Sequence, residues 1–321
     1  MTRAALVAVQ LEINAQVLAS PDAYRLHLEG AAARAVDSAD RLATASDPDD
    51  GWDEVDARLV VFPEIAGHLA LYALAPERAR RGKTLSTVLA QAAVRRPLDV
   101  LRGIATTRLL DARHAVLAAL APDGERWWKS VFGPLAKHHL AYVVAGSYLR
   151  LGADGALTNA SLLFGPDGRL LATTDKVNLV PGVEDGARGG LALHRGDAQL
   201  PIVDTAFGKL VTLIGYDAAR EPATPTERFV VLGPRLAERG GVDVVANPAG
   251  TLGTQVRRST LAESLPAAAR FGVTAHLVGS VLDLAFQGTS EVVERAGSAV
   301  KVLGRAEHAD RGAHVTALVT C

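Results

Sequence analysis

Three ionisable side chains stand where the chain leaves an apolar run or enters a loop. Glu64 ends RLVVFPE, Lys176 lies in TDKVNLVP, and Glu184 follows eight residues later. A carboxylate, an ammonium and a second carboxylate near the ends of adjacent strands make a polar pocket in an apolar sheet. Such a pocket suits proton transfer to an amide or nitrile and stabilisation of a developing oxyanion. Each residue also has a plain structural reading. Glu64 can be an exposed strand-end carboxylate, Lys176 a surface lysine, and Glu184 a brace for the Gly-rich loop after it. Lysine is scarce, with six against 28 arginines, so each lysine carries more information than usual. A fourth position is marked by what it lacks. Residues 210–214, LVTLI, read as a buried strand running into the sharp turn GYD. Such a turn can present a reactive side chain at a sheet edge, but its tip is Gly215. Either the backbone there needs positive φ, or the place of a nucleophile is empty.

The elements that must position these residues follow from patterning. Residues 3–11 form a first strand, 21–43 a surface helix, and 46–53 a polar turn. The run RLVVFPE is a strand closed by Pro63, which cannot donate to a ladder. Glu64 therefore lies just past a strand's carboxyl end, where ligands sit in parallel sheets. Residues 75–128 are mostly helical, with breaks expected at Pro97, Pro122 and Gly124, and 131–140 is a further helix. AYVVAGSY is a strand, and 149–174 holds a hairpin-like pair around NASLLF. Residues 174–190 form a loop. Beyond the central strand, 225–239 and 261–271 read as helices, and 242–247, 274–281, 290–294 and 314–320 as strands. There is no internal repeat and no long linker, so residues 1–321 are expected to form a single α/β domain with a mixed sheet or two sheets.

The formal net charge of -1 argues against a general electrostatic role on nucleic acid or anionic membrane. No apolar run reaches the roughly 18 residues that span a bilayer. The one cysteine, Cys321, permits no intrachain disulfide, so a cytoplasmic protein is expected. Cys321 itself reads as a solvent-exposed tail thiol, which leaves no cysteine inside the fold for catalysis. His68, His114, His138, His139 and His194 have no zinc-type spacing with cysteine or acidic partners. They read as surface or core residues, and the adjacent His138 and His139 are expected to point apart. No metal or other cofactor is expected. GPDG and GADG are turn sequences rather than phosphate loops.

Taken in order, AALVAVQ, RLVVFPE, AGSY, TNASLLFGPDGRLLATTDKVNLVP-GVE, KLVTLIGYD and GVDVVANPAG resemble the nitrilase, or carbon–nitrogen hydrolase, superfamily. The resemblance covers most of the chain and is strongest over residues 141–250. It implies a four-layer αββα sandwich with two mixed sheets, pairing through helical faces into a homodimer or higher homo-oligomer. It also implies that Glu64 is the general base, that Lys176 stabilises the tetrahedral intermediate and that Glu184 orients the site. The family's nucleophilic cysteine falls on Gly215, with Tyr216 and Asp217 matching beyond it. The histidine expected after the lysine is Asn178, and the family's F-P-E after the nucleophile is altered to Arg220-Glu221-Pro222. Tyr216, Asn178 and Asp217 are the implied ligand contacts, and the stretch around 76–128 looks like a helical insertion. Glycine cannot attack a carbon centre. The implied protein therefore lacks cysteine-dependent hydrolysis but keeps a Glu/Lys pocket for a small amide, nitrile or carboxylate. Two alternatives stand beside it: a C–N hydrolase that uses Glu64 to activate water directly, and a non-catalytic oligomerisation or regulatory partner.

Overall fold

Strand β1 (Arg3–Ile13) belongs to two sheets at once. The computed structural model describes residues 1–45, 55–75, 77–80, 84–95, 97–107, 111–186, 190–252 and 261–321. The polar turn expected over 46–53 lies outside them. Ser20 caps helix α1 (Pro21–Ala45): its Oγ accepts from the Ala23 N–H at 3.0 Å, and Pro21 brings no N–H to leave unpaired. Then come β2 (Ala57–Val61), α2 (Ala66–Leu74), α3 (Glu77–Arg80), α4 (Leu85–Arg95), α5 (Pro97–Thr107) and α6 (Ala112–His138). They are followed by β3 (Tyr142–Val144), β4 (Tyr148–Leu151), β5 (Leu157–Phe164) and β6 (Leu170–Asp175). After a loop, β7 (Ile202–Thr205) and β8 (Gly208–Thr212) lead into a 3-10 turn, Gly215–Ala218. The chain continues through α7 (Leu232–Glu238), β9 (Val242–Ala249), α8 (Leu261–Ser264), β10 (Ala269–Val281) and β11 (Leu284–Phe286). It ends with β12 (Glu291–Ala296), β13 (Ala299–Arg305) and β14 (Ala313–Thr320).

Arg3 to Gln10 pair antiparallel with β14, while Ala4 to Ala8 also pair parallel with β2. The last residues of β1, Leu11 to Ile13, pair instead with Leu277 to Gly279 of β10. One sheet extends through β2, β3 and β5, with β4 and β6 on β5. The other runs β10, β9, β8, β7, with β12 and β13 beyond β10. Leu6, Leu59 and Val61 of the first sheet meet Leu210, Val244, Phe271 and Val273 of the second in one buried cluster. Helices α1, α2 and α6 cover the first sheet's outer face, with Tyr24, Leu28, Trp128 and Phe132 against Val7, Val60 and Phe62. Helices α7 and α8 set Leu232, Leu236 and Leu261 against Val211 and Val245 on the second. The fold is the expected α/β sandwich, in the layer order α, β, β, α.

Local expectations differ at several places. Pro122 and Gly124 do not break a helix, and both lie inside α6, which also absorbs most of the separate helix expected over 131–140. The apolar face of α6 (Ala115, Ala118, Ala121, Trp128, Phe132) is buried and outweighs the lost hydrogen bond. Gly124 serves packing, since a Cβ there would lie 2.5 Å from Leu71 Cδ2 of α2. The helices expected over 225–239 and 261–271 shrink to α7 and α8. Pro266 has no N–H to continue the latter, and Ala269 already pairs with β9. Strand β13 was not expected, because its mixed polar surface hides the alternation. His138 and His139 do not point apart: their rings lie 4.8 Å apart, since both are at the end of α6, where the backbone still turns. Cys321 is not a free tail. Its backbone exchanges two 2.9 Å hydrogen bonds with Thr2, and burial pushes its thiol pKa up. That pairing lies at the start of β1 and β2, opposite the end where Glu64 emerges.

Candidate active site

Glu64 is delivered by β2 and fixed by the residues on either side of it. The Phe62 N–H donates to Val144 O at 2.9 Å, and the Ile65 N–H donates to Ser147 Oγ at 3.0 Å. Ile65 adopts φ 71, a left-handed turn that reverses the chain straight into α2. Gly146, at φ 57, lets the β3–β4 connection press against Pro63, whose carbonyl a Cβ would overlap. Lys176 leaves the end of β6, its N–H donating to Asn159 O at 2.8 Å. Glu184 closes its own turn: its N–H donates to Val180 O at 2.9 Å, and its Oε2 accepts from the Val180 N–H at 2.8 Å.

These three residues meet inside the protein. Lys176 Nζ donates to Glu64 Oε1 and to Glu184 Oε2, both at 2.6 Å. Lys176 is 1% exposed, Glu64 3% and Glu184 7%. The structure thus sets aside the readings of Glu64 and Lys176 as surface residues. Asn159 of β5, which the sequence reading missed, bridges the carboxylates: its Nδ2 donates to Glu64 Oε1 at 3.0 Å and to Glu184 Oε1 at 2.8 Å. Its signal was a polar residue inside the otherwise apolar NASLLF, with Ser161 two positions on and on the same face.

Burial and its neighbours give the members different acidities. Burial opposes the charge of Lys176, but Glu184 and Glu64 outweigh it and hold the ammonium above the usual lysine range. Burial raises Glu64, which Lys176 only partly offsets and Glu184 reinforces. Burial also works against ionised Glu184, yet Lys176, the Val180 N–H and Asn159 hold it below the usual range. Of the two carboxylates paired with the lysine, Glu184 is therefore the more acidic and Glu64 the more basic.

Gly215 opens the 3-10 turn at φ 48, directly beside Glu64. A Cβ at this position would lie 2.9 Å from Glu64 Cδ and overlap Oε2. Gly215 therefore adds no room for a ligand, because the glutamate already fills the space. Asn247 of β9, also missed, donates from Nδ2 to Leu213 O at 2.7 Å and to Gly215 O at 3.4 Å, holding the turn from below. Tyr216 turns elsewhere. Its hydroxyl donates to Glu227 Oε2 at 2.7 Å and accepts from the Ala223 N–H. Asp217 accepts from the N–H of Asn178 at 2.6 Å and from that of Val177 at 3.2 Å, while burial pushes its pKa up to about 7. Asn178 exchanges two 2.9 Å hydrogen bonds with the Val230 backbone. Asn178 and Asp217 thus clamp the Lys176 loop to the turn. The arrangement offers a proton acceptor and a fixed cation, with no side chain at the tip of the turn. Among the described residues no group of three or more His, Cys, Asp or Glu side chains is placed to hold a metal ion, and no helix is long and apolar enough to cross a membrane.

A family profile described as Carbon-nitrogen hydrolase matches residues 8–308. Comparison with curated proteins gives no match. Among solved structures, the chain is similar to an amidase from Nesterenkonia sp., with a TM-score of 0.59 at 20% identity over 99% of this chain and 90% of that one. A glutamine-for-glutamate variant of the Nesterenkonia sp. AN1 amidase, carrying acrylamide added to its active-site cysteine, gives 0.57 at 18% over 98% and 92%. A serine-for-cysteine variant of that amidase, described as from the nitrilase superfamily, gives 0.56 at 19% over 98% and 90%.

Proposed function

The chain belongs to the carbon–nitrogen hydrolase family, and from that premise we propose that it is a member without thiolate hydrolysis, its Glu64–Lys176–Glu184 cluster serving to bind a small amide or related molecule. In this reading Glu64 is the former general base, Lys176 the oxyanion-stabilising cation and Glu184 the group that orients it. Gly215 occupies the nucleophile's place. The observation that carries the reading is the contact between Gly215 and the Glu64 carboxylate, which leaves no side chain and no space for one. Two further facts support it. Cys321 is tied to Thr2 at the far end of β1, and the Tyr216 hydroxyl is engaged by Glu227 and Ala223, so neither stands in as nucleophile. The stretch around residues 76–128 is the proposed helical insertion, and association into homodimers through the helical faces remains part of the proposal.

The test is a paired turnover assay of the protein and of Gly215→Cys on small amides, nitriles and carbamoyl compounds. The parent is expected to show no turnover. The cysteine variant gains at most a slow rate, because its Cβ must displace Glu64 and its backbone sits at φ 48. Turnover by the parent that disappears in Glu64→Gln would overturn the proposal in favour of direct water activation. The mutual pairing of the three charges favours a second reading, a partner subunit with no ligand, which tight association with another chain and no binding of small molecules would support.

A further inference from the structure

The turn that carries Gly215 has a second face. Asp217, Ala218 and Arg220 border a cleft of about 450 Å³, closed by α7 and by residues 264–268. Arg220 belongs to Arg220-Glu221-Pro222, the segment that departs from the family's F-P-E. The floor is apolar: Leu213, Ala218 and Leu265 are each buried. Val231, 44% exposed, and Pro234 stand at the wall. This volume and this lining are those of a small-molecule site. None of Glu64, Lys176 and Glu184 lines it.

The charged residues of the cleft are Arg220, Arg295 and Asp217. Arg295 of β12 is anchored by three carbonyls. Its Nε donates to Ala269 O at 3.1 Å, and its Nη2 donates to Leu265 O at 2.6 Å and to Pro266 O at 3.0 Å. These bonds fix the guanidinium and leave Nη1 without a partner. Arg220 is exposed, and among the described residues its guanidinium has neither a hydrogen bond nor an ion pair. Asp217 is the opposing charge, but its oxygens are already served. Oδ1 accepts from the Asn178 N–H at 2.6 Å and the Val177 N–H at 3.2 Å, and Oδ2 from the same Val177 N–H at 3.2 Å. Burial also favours its neutral form. The cleft is left with free guanidinium donors above an apolar floor. We propose that it binds a small monocarboxylate with an apolar body. The carboxylate is taken by Arg220 and by Arg295 Nη1, and the body lies on Leu213, Ala218 and Leu265. A planar guanidinium matches a carboxylate, whereas an ammonium would meet two like charges. An inorganic anion would leave the apolar floor in water. The site is separate from the Glu64–Lys176–Glu184 cluster and does not depend on how that cluster is read.

The test is calorimetric titration of the whole protein at pH 7.5 and constant ionic strength with phenylacetate, phenylacetamide and phenethylamine. Phenylacetate is expected to bind at least ~10-fold more tightly than phenethylamine. Arg220→Gln is expected to weaken phenylacetate by ~10-fold, because it removes one charge-assisted partner. Arg220 is exposed, so this variant is expected to fold, and thermal melting verifies it. Phenethylamine binding as tightly as phenylacetate would overturn the ligand class. Phenylacetate binding that is unchanged in Arg220→Gln and lost in Glu64→Gln would place the acid at the other cluster and overturn the cleft as its site. Absence of phenylacetate binding to the parent would overturn the inference. If the parent is then also a dimer that Val231→Asp dissociates, the cleft belongs to a second copy of the chain. Each of these outcomes leaves the reading of the Glu64 cluster to its own assay.

Discussion

Lys176 is compensated on both sides, and the compensation is mutual. Removing the ammonium leaves two buried carboxylates facing each other, so Lys176→Ala is expected to lower unfolding stability by about 3–5 kcal/mol, read as a lower urea midpoint. Glu64→Gln removes one of the two competing carboxylates and keeps the shape. It is expected to cost less than half as much in the same assay, because Glu184 alone still pairs with the lysine at 2.6 Å. At this scale the sequence was legible where a charge interrupts an apolar pattern. Glu64, Lys176 and Glu184 each announce themselves that way, and the three converge. Asn159 and Asn247 were not legible, because a single polar residue in an apolar run says nothing about what it faces. Their partners come from segments 95 and 32 residues away. Only the folded chain brings them together.

At the scale of elements, the site depends on how closely α2 approaches β4. Gly67 makes that approach possible: its N–H donates to Ser147 O at 2.8 Å, and a Cβ on it would lie 2.7 Å from the same oxygen and overlap Tyr148 Cβ. Gly67→Ala is therefore expected to destabilise the protein by about 1–3 kcal/mol through overpacking, measured by thermal unfolding. It should also disturb His68, the next residue of α2. Strands were easier to read than helices here. Pro63 and Gly215 mark strand ends by chemistry that holds in any context. The prolines of α6 do not mark helix ends, because twenty-seven residues with a continuous buried face absorb a missing N–H. The long helix expected over 225–239 failed for the opposite reason: only Leu232 and Leu236 of α7 are buried, which holds about two turns.

For the whole molecule, acid sensitivity follows from histidines kept neutral inside it. Burial holds His276 of β10 down to about 4 from an ordinary 6.5. Its folded-state pKa is depressed, so between pH 6.5 and 4 the unfolded chain binds a proton that the folded chain refuses. Stability is then lost as pH falls through that window, by roughly 3 kcal/mol for a shift of this size. Urea midpoints at pH 7.5 and 4.5 are expected to differ more in the parent than in His276→Gln, which has no proton to take up. The shared strand β1 bears on a different property, the order in which the molecule can assemble. β1 and β2 leave the ribosome early, yet β10 and β14, which pair with the other edge of β1, lie at residues 269–320. At typical synthesis rates that edge stays open for roughly 10–50 s. Throughout that interval a strand buried at every residue but Arg3 and Glu12 is an unpaired template for other chains, so productive folding of this sandwich is a race between translation and aggregation that only the arrival of β10 and β14 can end.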